Sequence, residues 1–102
     1  MITITMHRDK KHRYTGFTIS GHADYDEAGS DIVCAAVSAL SQTALLGLMQ
    51  YASQDVPYEV NDGFLSAQVP KPCEASQIIL GTMVAGLEQI VRQYGEYVVL
   101  DS

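Results

Sequence analysis

Cysteine is scarce in this chain, with two among 102 residues, and no Cys-x-x-Cys occurs. That spacing excludes a thioredoxin-like redox motif, and both thiols are expected to stay reduced in a cytoplasmic protein. The three histidines and two cysteines lie scattered without a zinc-ligand pattern, so neither a metal site nor a cofactor is expected. Basic residues are also few. Six stand against twelve acidic ones for a formal net charge of −6, which disfavours general nucleic-acid binding because phosphate contacts need lysine and arginine. No segment approaches the roughly 18 consecutive apolar residues of a membrane span, and the opening Met1 to Arg8 lacks a signal-peptide core. A cytoplasmic location away from membranes is therefore expected. Repeats and low-complexity linkers are absent too, and with 47% hydrophobic content residues 1–102 are expected to form one domain. Small domains bury a lower fraction of their surface, so pairing through an apolar face would add stability.

What is present alternates between two periodicities. Ile2, Ile4 and Met6 interleave with threonines, a polar stretch from His7 to Arg13 follows, and Tyr14 to Ser20 is a second strand with Phe17 and Ile19 on one face. From Ile32 to about Ala52 the apolar residues Val33, Val37, Leu40, Ala44, Leu45, Leu48 and Met49 recur at helical spacing. Val56 to Val60 and Leu65 to Val69 alternate around an Asn61-Asp62-Gly63 turn, which predicts a second hairpin. A second helix follows Pro70 and Pro72, with Ile79, Met83, Leu87, Ile90 and Tyr94 on one face and Gly95 at its C-terminal cap, and Tyr97 to Leu100 is a last short strand. Hairpins alternating with single helices predict an α+β two-layer sandwich, with two main helices on one face of a mostly antiparallel sheet.

The chemistry concentrates between Gly21 and Ser38. His22 and Cys34 lie twelve positions apart across an acidic, glycine-bearing loop. A thiol is a weak nucleophile and a thiolate a strong one, so a reactive cysteine needs a base and a field favouring its anion. Ser30 or Asp31 is a good N-cap, and with Asp31 as the cap Cys34 is the third helical residue, where unpaired N–H groups and the helix dipole favour ionisation. Asp31 opposes that effect by placing a carboxylate beside the sulfur. His22 sits just past a strand end, and a loop of about ten residues can return it to Cys34. Gly21 and Gly29 bracket this loop. Ala35, Ala36 and Ser38 leave room for a substrate backbone, and Ser38 lies one turn beyond Cys34, as a supporting hydrogen-bonder or a packing residue. Residue pattern alone also fits a small buried cysteine and a surface histidine, and Cys73 reads as a helix-start or core residue.

The block Gly21-His22-Ala23, then Gly29, then Asp31-Ile32-Val33-Cys34-Ala35-Ala36-Val37-Ser38 resembles the two-part signature of the Prp (YsxB-like) family of bacterial ribosomal-processing cysteine proteases. Length, opening strand and late helix fit the same family. The resemblance implies a cysteine endopeptidase that removes an N-terminal extension from large-subunit ribosomal protein number twenty-seven, with His22 and Cys34 as the catalytic pair. It also points to a homodimer.

The mechanism expected on this reading is attack by Cys34 as thiolate, an acyl-enzyme, and proton transfer through His22 to the leaving amine. N–H groups at the helix start, including that of Cys34, are candidate oxyanion donors, and Asp31 or Asp24 could orient His22. Asp24, Asp26 and Glu27 make the loop acidic. It is expected to act as a gate, held weakly for want of large aliphatic anchors, that binds lysine-rich substrate. Arg8, Lys10, Lys11 and Arg13 crowd the first hairpin turn, either as a solvated turn or as a contact for an anionic surface. A non-catalytic, ribosome-associated homodimeric scaffold is the alternative, and it would survive loss of Cys34.

Overall fold

A computed structural model describes residues 1–26, 31–52 and 55–102. The chain runs β1 (Ile2–Arg8), β2 (Tyr14–Ser20), α1 (Ile32–Tyr51), β3 (Tyr58–Asn61), β4 (Phe64–Gln68), α2 (Glu74–Tyr94) and β5 (Val98–Asp101). The strands form one sheet in the order β3-β4-β2-β1-β5. Three neighbouring pairs are antiparallel, and β5 adds to β1 in parallel, so the sheet is mixed. The two-layer α+β expectation holds, and the parallel strand is what alternation along the sequence does not show: α2 crosses over from β4 at one side of the sheet to β5 at the other.

Register explains which face the helices cover. Ile4 pairs with Ile19, Ile19 with Leu65, and Leu65 with Val60. That row and the Met6, Phe17, Ala67 row carry most of the apolar side chains, while Thr3, Thr5, Thr18 and Ser66 fall on the opposite, polar face. Ile4, Phe17, Leu48, Leu80 and Leu87 are wholly buried, so the core lies between this face and both helices.

Helix α1 buries Val33, Val37, Ala44, Leu45 and Leu48 as expected from their spacing, but Met49 is exposed and Leu40 only half-buried. Ser41 takes the remaining buried position, tolerated because its hydroxyl donates to the Val37 carbonyl at 2.8 Å. By length and composition alone α1 is apolar enough to cross a membrane, and here it packs one face as a core helix. Its N-cap is Asp31, and that of α2 is Cys73, whose sulfur accepts the Ser76 N–H while the Ser76 hydroxyl returns to the Cys73 backbone. Val56, Val69 and Tyr97 fall just outside the strands predicted to contain them.

The first hairpin turn holds much of its own positive charge. Asp9 accepts from the Lys11 and Arg13 N–H groups and pairs with the Arg13 guanidinium at 2.8 Å, while Arg8 stacks 4.2 Å from the Tyr14 ring centre and donates to the His12 carbonyl.

Candidate active site

Three pieces of chain meet at the end of the sheet where β2 stops. The Gly21 N–H donates to the Gly63 carbonyl at 2.8 Å, which fastens the segment after β2 to the turn between β3 and β4. Gly21 has φ +93° and lies against the Met1 carbonyl where a side chain has no room, so its role here is close approach. His22 follows, its carbonyl accepting from the Met1 amino group and its ring resting over Gly63. Gly63 itself has φ +69° at the second central position of the Asp62-Gly63 turn, a conformation that glycine adopts without strain.

The third piece is the start of α1. Asp31 Oδ1 accepts the N–H groups of Val33 and Cys34, both at 2.9 Å, and Oδ2 accepts that of Tyr25 at 3.1 Å. One carboxylate thus caps the helix and ties the segment after His22 to it. Those three donors hold the Asp31 carboxyl below its ordinary range although its burial pushes the other way. The Ala23 N–H donates to Cys34 Sγ at 3.2 Å.

Sulfur and imidazole share two hollows. An apolar cleft of about 200 Å³ runs between α1 and the β3–β4 hairpin, walled by Ile19, Val37, Val60, Phe64 and Leu65. A wider hollow of about 610 Å³ is lined by the carboxylates of Asp24, Asp26, Asp31 and Asp62. His22, Cys34 and Ser38 border both. The His22 and Cys34 side chains make no hydrogen bond to one another among the described residues.

The electrostatics reverse one sequence expectation. Burial pushes the Cys34 thiol up, and the Asp31 and Asp24 carboxylates add to this; the Ala23 N–H acts in the opposite sense without prevailing. The Val33 and Cys34 N–H groups at the helix start are already engaged by Asp31. By contrast, the Ser76 N–H and hydroxyl pull the Cys73 thiol down.

Asp31 and Asp24 do not orient His22. Asp31 serves the helix, and Asp24, at φ +57°, pairs with the Met1 amino group at 3.7 Å. The carboxylate beside the imidazole is Asp62, with Oδ1 3.7 Å from His22 Nε2. Sequence reading treated Asp62 only as a turn residue; nothing short of the strand order could bring it to His22. Ser38 Oγ accepts from the Gln42 amide and borders both hollows without bonding to Cys34 or His22. Asp26 lines the acidic hollow, and Glu27, Gly29 and the alternative cap Ser30 lie outside the described residues. The segment also has an anchor that its aliphatic content conceals: the Tyr25 ring meets Tyr94 and Tyr97 edge-on at 5.6 and 5.1 Å. Among the described residues no cluster of three or more His, Cys, Asp or Glu side chains could hold a metal ion.

Comparison with known proteins shows the family and the fold. The sequence model of the family described as cysteine protease Prp matches residues 1–99. Ribosomal processing cysteine protease Prp of Staphylococcus aureus is 35% identical, over 99% of this chain and 98% of its own. The protein of the same name from Bacillus subtilis is 29% identical over 92% and 90%. Among solved structures, the S. aureus Prp protease with a covalently linked product peptide superposes with a TM-score of 0.92 at 30% identity, covering 99% of this chain and 98% of that one.

Proposed function

This chain belongs to the cysteine protease Prp family and is a cysteine peptidase, and from that membership we propose that it removes the N-terminal extension of large-subunit ribosomal protein number twenty-seven, with Cys34 as nucleophile and His22 as base. The observation that carries the assignment is that Cys34 Sγ and the His22 imidazole border the same cleft while the Ala23 N–H is aimed at the sulfur.

Burial and the Asp31 and Asp24 carboxylates push the Cys34 thiol up, so deprotonation accompanies attack. A carboxylate 3.7 Å from His22 Nε2 favours a proton on that nitrogen and leaves Nδ1 to accept the one from sulfur. Sulfur adds to the scissile carbonyl, the tetrahedral intermediate collapses as His22 protonates the departing amine, and water then hydrolyses the thioester. The Val33 and Cys34 N–H groups are committed to Asp31, so we assign the growing oxyanion to the Ala23 N–H, already directed at the reacting atom.

The two hollows describe a substrate with two characters. Large apolar side chains fit the cleft beside Val60 and Phe64, and lysines suit the acidic hollow. Lysines seated there also offset the Asp31 and Asp24 charges, which add to burial in pushing the Cys34 thiol up. We further propose that the protein works in the cytoplasm as a homodimer.

The test is incubation of the purified protein with the extended ribosomal protein, read by intact mass. Wild type should release one N-terminal peptide, and Cys34→Ala and His22→Ala should release none while keeping their folded circular dichroism. An uncleaved substrate, or full activity in Cys34→Ala, overturns the assignment.

A further inference from the structure

We propose that the substrate's main chain binds as an added strand along the outer edge of β3. The proposal rests on the peptidase reading above and deepens it. Strand β3 ends the sheet order on the side of the apolar cleft, while the other edge, β5, is separated from it by three strands.

The register decides which groups of β3 are free. Asn61 pairs with Phe64 across the two-residue turn, and the Gln68 N–H donates to the Pro57 carbonyl at 2.9 Å. In an antiparallel hairpin the bonded pairs alternate, so Pro57, Glu59 and Asn61 face β4, and the N–H and C=O groups of Tyr58 and Val60 point outward. Among the described residues no backbone partner takes them.

Side chains agree with an occupant on this edge. Val60 shares the helix-facing row with Leu65 and Ile19, yet it is 52% exposed, because α1 leaves this end of the row open as the wall of the cleft. Tyr58 is 56% exposed on the same edge. Free strand edges are normally guarded by lysine, but the exposed charges around β3 are Asp55, Glu59 and Asp62, which repel an acidic chain and attract a basic one. The edge is continuous with the reacting groups, because Val60 and Asn61 line the cleft that Cys34 and His22 border. An extended peptide paired here makes sequence-independent main-chain bonds to Tyr58 and Val60 and drops alternate side chains into the cleft, as in other strand-addition complexes. Pairing also holds the scissile bond extended, the shape a peptidase must reach.

The experiment uses a synthetic peptide spanning the junction that wild type cleaves in the extended ribosomal protein, methylated at one backbone nitrogen at a time. Methylation at alternate positions should lower kcat/KM about tenfold or more, with the intervening positions little affected, because one lost main-chain bond leaves a buried partner unpaired. On the protein side, Val60→Thr alters only the side chain in the cleft wall, whereas Val60→Pro also removes an outward N–H that β4 does not use and should raise KM about tenfold beyond the threonine variant. Circular dichroism confirms that both variants are folded. A scan without alternation, or Val60→Pro with the KM of Val60→Thr, overturns the proposal. So does loss of self-association in Val60→Pro with a flat scan, which would make β3 the seam between two copies. If wild type does not cut the parent peptide, the peptidase assignment to this substrate fails first, and the two failures are told apart.

Discussion

A methyl group at Gly63 tests the position of His22 more directly than removal of the imidazole does. An ideal Cβ built on Gly63 stands 2.7 Å from His22 Nε2 and 3.2 Å from Cδ2, whereas ordinary contact begins near 3.4 Å, so the ring must retreat by roughly 0.7 Å. The ring is exposed and can move, so this retreat costs little stability. The backbone cost is separate. At φ +69° an alanine loses about 1–2 kcal/mol relative to glycine, and each kcal/mol lowers Tm by about 4–8 °C in a domain of this size. For activity, a misplacement approaching 1 Å at a reacting group costs about 100-fold, so a loss of about 10- to 100-fold in kcat/KM is expected for Gly63→Ala. Gly63→Asn separates the two effects, because asparagine tolerates the left-handed region but carries the same Cβ. Its Tm should recover toward wild type while kcat/KM stays low. Thermal melts and steady-state cleavage of the junction peptide give both numbers. Wild-type kcat/KM in Gly63→Asn would refute the reasoning, since the imidazole could then be displaced without consequence.

Other outcomes follow from the same geometry. Iodoacetamide at neutral pH should label Cys73 ahead of Cys34, because Ser76 pulls the first thiol down while burial and two carboxylates push the second up; peptide mapping after brief exposure reads the order. Asp31→Asn should speed labelling of Cys34 by removing the nearer carboxylate while leaving an adequate cap. Asp31→Ala should cost about 1 kcal/mol in urea unfolding at pH 7. Because the folded carboxyl lies below its ordinary value of 3.8, that contribution is present above 3.8 and is lost as the pH falls through the folded value, so the gap between variant and wild type should close in acid. Replacing Asp24 and Asp26 by asparagine should raise KM for lysine-rich peptides and flatten its dependence on salt, with little change for neutral ones.

Local physics made much of this protein legible from its residues. Alternation at Ile2 to Met6 and Leu65 to Ala67, helical spacing after Ile32, and the Asp-Gly turn each depend on contacts a few residues apart, and the elements stand where that chemistry puts them. Cap, cysteine and small residues at the start of α1 were legible for the same reason, whereas the pairing of His22 with Cys34 came from the resemblance of the Gly21 to Ser38 block to a known family, since residue pattern alone left it open. The surroundings of that motif were not. Asp62 reaches His22, Gly63 supports its ring and Val60 walls the cleft because β4 pairs with β2, a long-range choice that no local pattern encodes. The sign of the Cys34 shift was decided in the same way. Capping chemistry placed both the helix dipole and Asp31 beside the sulfur, and which of them prevails depends on burial and on Asp24, quantities that exist only once the chain has closed around the thiol.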